Sequence, residues 1–162
     1  MTLRSLLGAE AQVVKFFDAE RESFQNQPSS RSVSRIKKLS SHITLFLQIY
    51  EYGARKRYFE LVCNELKRRS SHPCVVLIDP DNGMAGKCPK SEHVCQEEIS
   101  NLWSAMKPGD VLIVYQHQFR DKECVSKRRS VLATALGTDQ IFCRCHDDVR
   151  SVCFFEVIKN GN

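Results

Sequence analysis

Glycine is scarce where a nucleotide-binding domain would need it. The chain has 7 glycines in 162 residues, and upstream of residue 74 there are only Gly8 and Gly53. Neither belongs to a Gly-x-Gly turn of the kind that lets a backbone approach a phosphate closely, which excludes a dinucleotide fingerprint in the front half. No segment approaches the 18 or more consecutive apolar residues of a membrane span, so no membrane partner is expected. The first twenty residues carry Arg4, Glu10, Lys15, Asp18 and Glu20 in place of the apolar centre of a secretory leader, and the expected location is cytoplasmic. Acidic residues are also scarce in one region: residues 31–70 hold ten Lys/Arg against three Glu, while the remainder holds fourteen basic and sixteen acidic residues.

That basic region accounts for the whole net charge of +5. A localised excess of this kind suits a polyanion, so nucleic acid is the expected partner, met through Arg35, Lys37, Lys38, Arg55, Lys56, Arg57, Lys67, Arg68 and Arg69. A solvated helix face with a loop is the plainer explanation.

Eight cysteines would spell a disulfide framework in a short secreted chain. Here several fall inside apolar strand or helix patterns, where free Cys packs as a small hydrophobe, and reduced thiols are expected. Cys88-x4-His93-x-Cys95 and Cys143-x-Cys145-His146 contain zinc-type ligands, but neither has the Cys-x2-Cys pair that closes a structural site. Inward packing is therefore the expectation for these cysteines, with no metal assigned.

The central feature is Cys74-Val-Val-Leu-Ile-Asp79-Pro-Asp-Asn-Gly83, an apolar run ending abruptly in polar and turn-forming residues. A run apolar on both faces predicts a central parallel strand with helices on each side. Val111-Leu-Ile-Val-Tyr115 repeats the pattern and runs out into Gln116, His117, Gln118 and Arg120. Ligands of open α/β sheets sit beyond the carboxyl ends of such strands. Asp79 and Asp81 are thus candidate catalytic carboxylates with His117 as a candidate base, and Asn82, Gln116 and Arg120 are candidate ligand contacts. Turn formation by Asp-Pro and Asn-Gly is the competing explanation for the first group.

Around these strands the periodicity predicts an amphipathic helix over 3–24, a Ser- and Pro-containing loop over 25–34, and a strand over 42–50. Helices follow over 54–70, from an N-cap at Ser91 to Met106, and over 121–136; the last strands are 140–145 and 150–159. So short a link between those two strands makes them antiparallel. The alternation of strand and helix specifies a mainly parallel sheet in a single domain over 1–162, with 42–159 as the sheet core.

From Val75 onward this order resembles the carboxyl half of class I methyltransferases: an Asp-Pro strand end, a helix, a Lys-Pro-Gly turn, a strand, a helix and a terminal antiparallel hairpin. Asp79-Pro80-Asp81-Asn82 stands where that superfamily has Asp/Asn-Pro-Pro-aromatic, and Lys107-Pro108-Gly109-Asp110 where it commonly has Lys-Pro-Gly-Gly. Asp-Pro-Asp-Asn-Gly followed by Val-Tyr-Gln-His also resembles an uncharacterised bacterial protein family that brings no established reaction. The expected architecture is a three-layer Rossmann-like sheet, mostly parallel, with the antiparallel hairpin at its carboxyl end, as the methyltransferase resemblance implies, and the amino-terminal helix and loop, residues 1–34, form a helical appendage. The appendage is expected to pack on a second copy, giving a homodimer.

Three classes of function follow. The first is a nucleic-acid-associated binding protein or degenerate enzyme; its cofactor, if any, is unassigned. The second is an enzyme, either a methyltransferase relative using S-adenosylmethionine, with Asp79 and Asn82 on an amino group, or a phosphodiesterase with Mg²⁺ on Asp79 and Asp81. The third is an oligomeric interaction module.

Overall fold

The computed structural model describes residues 51–69, 72–85, 90–117, 123–145 and 152–161. The chain divides into two compact units, 1–49 and 50–162, and all described residues lie in the second. The expected helix over 3–24, the loop 25–34 and the strand 42–50 lie outside the described residues, as do Arg35, Lys37, Lys38 and Arg120.

A 3-10 turn at Tyr52–Ala54 leads into α1 (Arg55–Arg68), followed by β1 (Val75–Ile78), α2 (Gln96–Ala105), β2 (Val111–His117), α3 (Cys124–Leu136), β3 (Phe142–Cys145) and β4 (Val152–Ile158). The sheet order is β1-β2-β4-β3. β1 and β2 are parallel, joined through α2, whereas β4 is antiparallel to both β2 and β3. Three strands therefore share one direction, with the reversed β4 inserted between β2 and β3.

The terminal hairpin forms as expected, but among the described strands the pairing is not mostly parallel: only β1 and β2 form a parallel ladder. The reason is length. β2 and β4 both have seven residues and pair along their whole extent, from Val111 with Ile158 to His117 with Val152. Four-residue β3 is left at the edge.

One face of the sheet carries the core. Leu112, Val114, Cys153, Phe155 and Val157 are buried there against Ile99 of α2, Met106 at its end, and Leu132, Ala135 and Leu136 of α3. Cys63 of α1 joins Leu102, Ala105 and Ile78 in an adjoining cluster. Each large side chain so buried contributes about 1.5–3 kcal/mol over its exposed state. The opposite face carries Val75, Leu77 and Phe142, which remain 63%, 59% and 60% exposed. Among the described residues, then, β1 is an edge strand covered on one face. The expectation of a central strand between two helical layers is corrected to this extent, because an all-apolar run does not reveal whether its second face has a cover.

Two other boundaries move for local reasons. The helix expected to begin at Ser91 begins at Gln96, with Cys95 as N-cap and the Glu98 side chain reaching back to the Cys95 N–H at 2.7 Å. Residues 90–94 are held out of the helix by an isolated parallel bridge between Met84 and Val94. The strand expected to end at Tyr115 continues through His117, because Cys153 and Val152 supply partners for two further residues.

The Lys107–Asp110 turn forms as expected, with Gly109 at φ 88°. Its last residue, Asp110, is fully buried and accepts hydrogen bonds from the Cys74 N–H at 3.0 Å, the Lys107 N–H at 2.5 Å and the Arg69 guanidinium. This carboxylate ties the end of the α1 segment to the starts of both parallel strands.

Candidate functional site

The carboxyl ends of β1 and β2 lie side by side, with Ile78 paired to Val114. Past Ile78 the chain makes a turn closed by the Gly83 N–H to the Pro80 carbonyl at 3.1 Å, and Gly83 takes φ 78°. Asp79 and Asp81 are exposed at this turn. Enough protein crowds the Asp79 carboxyl to push its pKa up, and the neighbouring Asp81 charge pushes it in the same direction. Asn82 is half-buried, and its backbone N–H donates to the Glu92 carbonyl at 2.9 Å, fastening this turn to the 90–95 loop.

The register separates two residues that the sequence placed together. Gln116 lies on the helix-covered face, fully buried, its carbonyl oxygen accepting from the Met84 N–H at 2.8 Å and its amide donating to the His117 carbonyl at 2.7 Å. A side chain on Gly83 would collide with that amide. Gln116 therefore props the loop after β1 and has a structural task inside the fold. His117, the next residue, faces the opposite side with Tyr115, whose ring it meets edge-on at 5.5 Å. Asp79 follows the last residue of β1 and is exposed at the turn, so among the strand-end candidates on β2 it is His117 that turns away from the core.

The 90–95 loop adds residues that sequence reasoning did not single out for this site. Arg55, at the start of α1, forms an ion pair with Glu98 and donates to the carbonyls of Lys90 at 3.1 Å and His93 at 2.5 Å and to Cys95 Sγ at 3.2 Å. Within this clamp Glu92 Oε2 and His93 Nδ1 are buried without a hydrogen-bond partner among the described residues. The Glu92 carboxyl is otherwise held by hydrogen bonds from backbone and from Ser91, which lower its pKa, so the atoms left over, Glu92 Oε2 and His93 Nδ1, are places where water or a ligand has something to bind. The signal in the sequence was weak, since Glu92 fitted a helix N-terminus and His93 a zinc-like spacing.

The basic residues divide into two groups. Arg55 and Arg69 are neutralised inside the fold, by Glu98 and Asp110 respectively. Lys56, Arg57, Lys67 and Arg68 are exposed on α1 and form no ion pair with a described residue. The eleven-residue offsets from Lys56 to Lys67 and from Arg57 to Arg68 bring both pairs to one side of the helix, over about 16 Å of its length.

A third group sits apart, on the terminal hairpin. Burial pushes the Cys143 thiol up to about 11, with Cys145 acting in the same direction and the Cys153 hydrogen bond opposing it, and pushes the Cys153 thiol up to about 12, with Cys143 and Cys145 adding to the rise. No protein-family model, curated protein or solved structure matches this chain.

Proposed function

We propose that this protein is a nucleic-acid-associated binding protein built on an α/β scaffold that has kept a strand-end site without an intact cofactor loop. The carrying observation is the set of four exposed cations, Lys56, Arg57, Lys67 and Arg68, on one side of α1, in contrast to the internally paired Arg55 and Arg69. Their two pairs, about 16 Å apart, suit phosphates several positions apart along a backbone. The strand ends bearing Asp79, Asp81 and His117, with the orphan atoms of Glu92 and His93 nearby, then serve to bind a small polar group or nucleotide. The succession of β1, α2, the Lys107–Asp110 turn, β2, α3 and the terminal hairpin supports a methyltransferase-like ancestry for the scaffold. Binding is favoured over methyl transfer because the upstream chain has only Gly8 and Gly53.

Four neutralised phosphates on duplex DNA give a slope of about −3.6 in log affinity against log salt. Fluorescence anisotropy with a labelled duplex across a salt series measures it. Reversing two of the charges, in Lys56→Glu with Arg57→Glu, is expected to flatten the slope and weaken binding at every salt concentration. Absence of binding at low salt, or binding indifferent to salt, removes the proposal.

A second reading rests on a different observation, the uncovered sheet face. Val75, Leu77, Phe142, Phe154 and Ile158 are exposed on it, and its acid and base, Glu156 and Arg144, pair with each other at 3.0 Å. An apolar face that is neutral overall does not attract a polyanion. A second copy of the chain, related by a two-fold axis, presents a matching face, and the reading is a homodimer stacked sheet on sheet.

A further inference from the structure

The hairpin thiols belong to neither the strand-end site nor the basic helix face. Cys143 and Cys145 are two residues apart on β3 and so share the helix-covered face, while Cys153 on β4 stands directly opposite Cys145 in the register. The three Sγ atoms all lie within 4.8 Å of one another, and those of Cys143 and Cys145 are 3.7 Å apart. Two sulfurs bound to one tetrahedral zinc, each about 2.3 Å from the metal, are separated by about 3.8 Å. Two thiols in simple contact meet that distance as well. What distinguishes this group is the third sulfur closing a triangle, graded from buried Cys153 through half-buried Cys143 to exposed Cys145.

We propose that Cys143, Cys145 and Cys153 bind a single zinc ion as a three-thiolate site, with the fourth position on the exposed Cys145 side taken by water or an added ligand. Thiolate sulfur selects soft and borderline cations of the zinc and copper(I) type and leaves magnesium and calcium to oxygen ligands. The three thiol protons pass to solvent as the ion binds. Spacing along the chain hides the site, because its third ligand comes from the neighbouring strand. Bound there, the ion would link edge strand β3 to β4, and folding stability would rise with the free metal concentration.

The test is a cobalt(II) titration of the full chain, reduced and freed of metal. The expected result is one cobalt per chain, with sulfur-to-cobalt charge-transfer absorption and the strong visible bands of a tetrahedral site, all displaced by zinc. Cys145→Ser is the informative variant, since Cys145 is exposed and its replacement leaves the core intact. Its circular dichroism is expected to match that of the unsubstituted chain, while cobalt affinity falls on the order of a hundredfold or more, beyond what loss of an outer partner costs. Cys63→Ser, outside the cluster, is expected to titrate as the unsubstituted chain does. A weak octahedral spectrum without charge transfer, or unchanged affinity in Cys145→Ser, overturns the proposal.

Discussion

Asp79 carries its charge at a cost. Its carboxyl pKa is raised by the protein around it and by Asp81, so the folded state favours the protonated form more than the unfolded chain does. The associated stability is present below the unfolded value and is lost as pH rises through the folded one. Asp79→Asn is therefore expected to raise the urea midpoint at pH 7, modestly because solvent screens an exposed group, with the difference vanishing below about pH 4, near the unperturbed carboxylate value. A lower midpoint for the variant at pH 7 would mean that the carboxylate is held by a favourable partner. A destabilising carboxylate just past the end of a parallel strand fits a group kept for binding. Gln116 teaches the opposite lesson. Its polarity made it look like a ligand contact, but the two extra residues of β2 turn it into the core, where its amide supports Met84 and leaves Gly83 no room for a side chain.

At the scale of elements, the turn before β2 is held by one buried carboxylate. Asp110 gathers the Arg69 guanidinium and the N–H groups of Cys74 and Lys107, so Asp110→Ala strands three donors, one of them charged. The expected loss is about 3–5 kcal/mol, read as a lower midpoint in chemical denaturation. Asp110→Asn keeps an acceptor and is expected to lose less; equal stability of Asp110→Ala and the unsubstituted chain would refute this role. The presence of α1, α2 and α3 was legible from apolar spacing, and the end of α3 from Gly137, which takes φ 67° past the last turn. The start of α2 was not, because Ser91 and Glu92 satisfy the local rules for an N-terminus while the Met84–Val94 bridge keeps the chain extended until Cys95. A long-range pairing overrode a sound local preference.

At the scale of the whole molecule, the proposed two-fold stacking rests on the sheet face that is exposed among the described residues. Sedimentation of the full chain is expected to give a dimer, and Leu77→Lys, which sets a charge on the 59% exposed position at the centre of β1, is expected to shift it to monomer. A monomeric unsubstituted chain at micromolar concentration would exclude the two-fold stacking. The sequence by itself determined the α/β class, the succession of elements from residue 55 onward, the terminal hairpin and the strand-end position of Asp79, because periodicity, turn chemistry and short links are local properties. Only the tertiary structure decided that β4 inserts beside β2, that Gln116 and His117 face opposite ways, that Arg55 and Arg69 are neutralised while their neighbours stay exposed, and that three cysteines meet. Each of these depends on which residue lies opposite another across a ladder or a helix contact, and residues far apart in sequence carry no mark of that register.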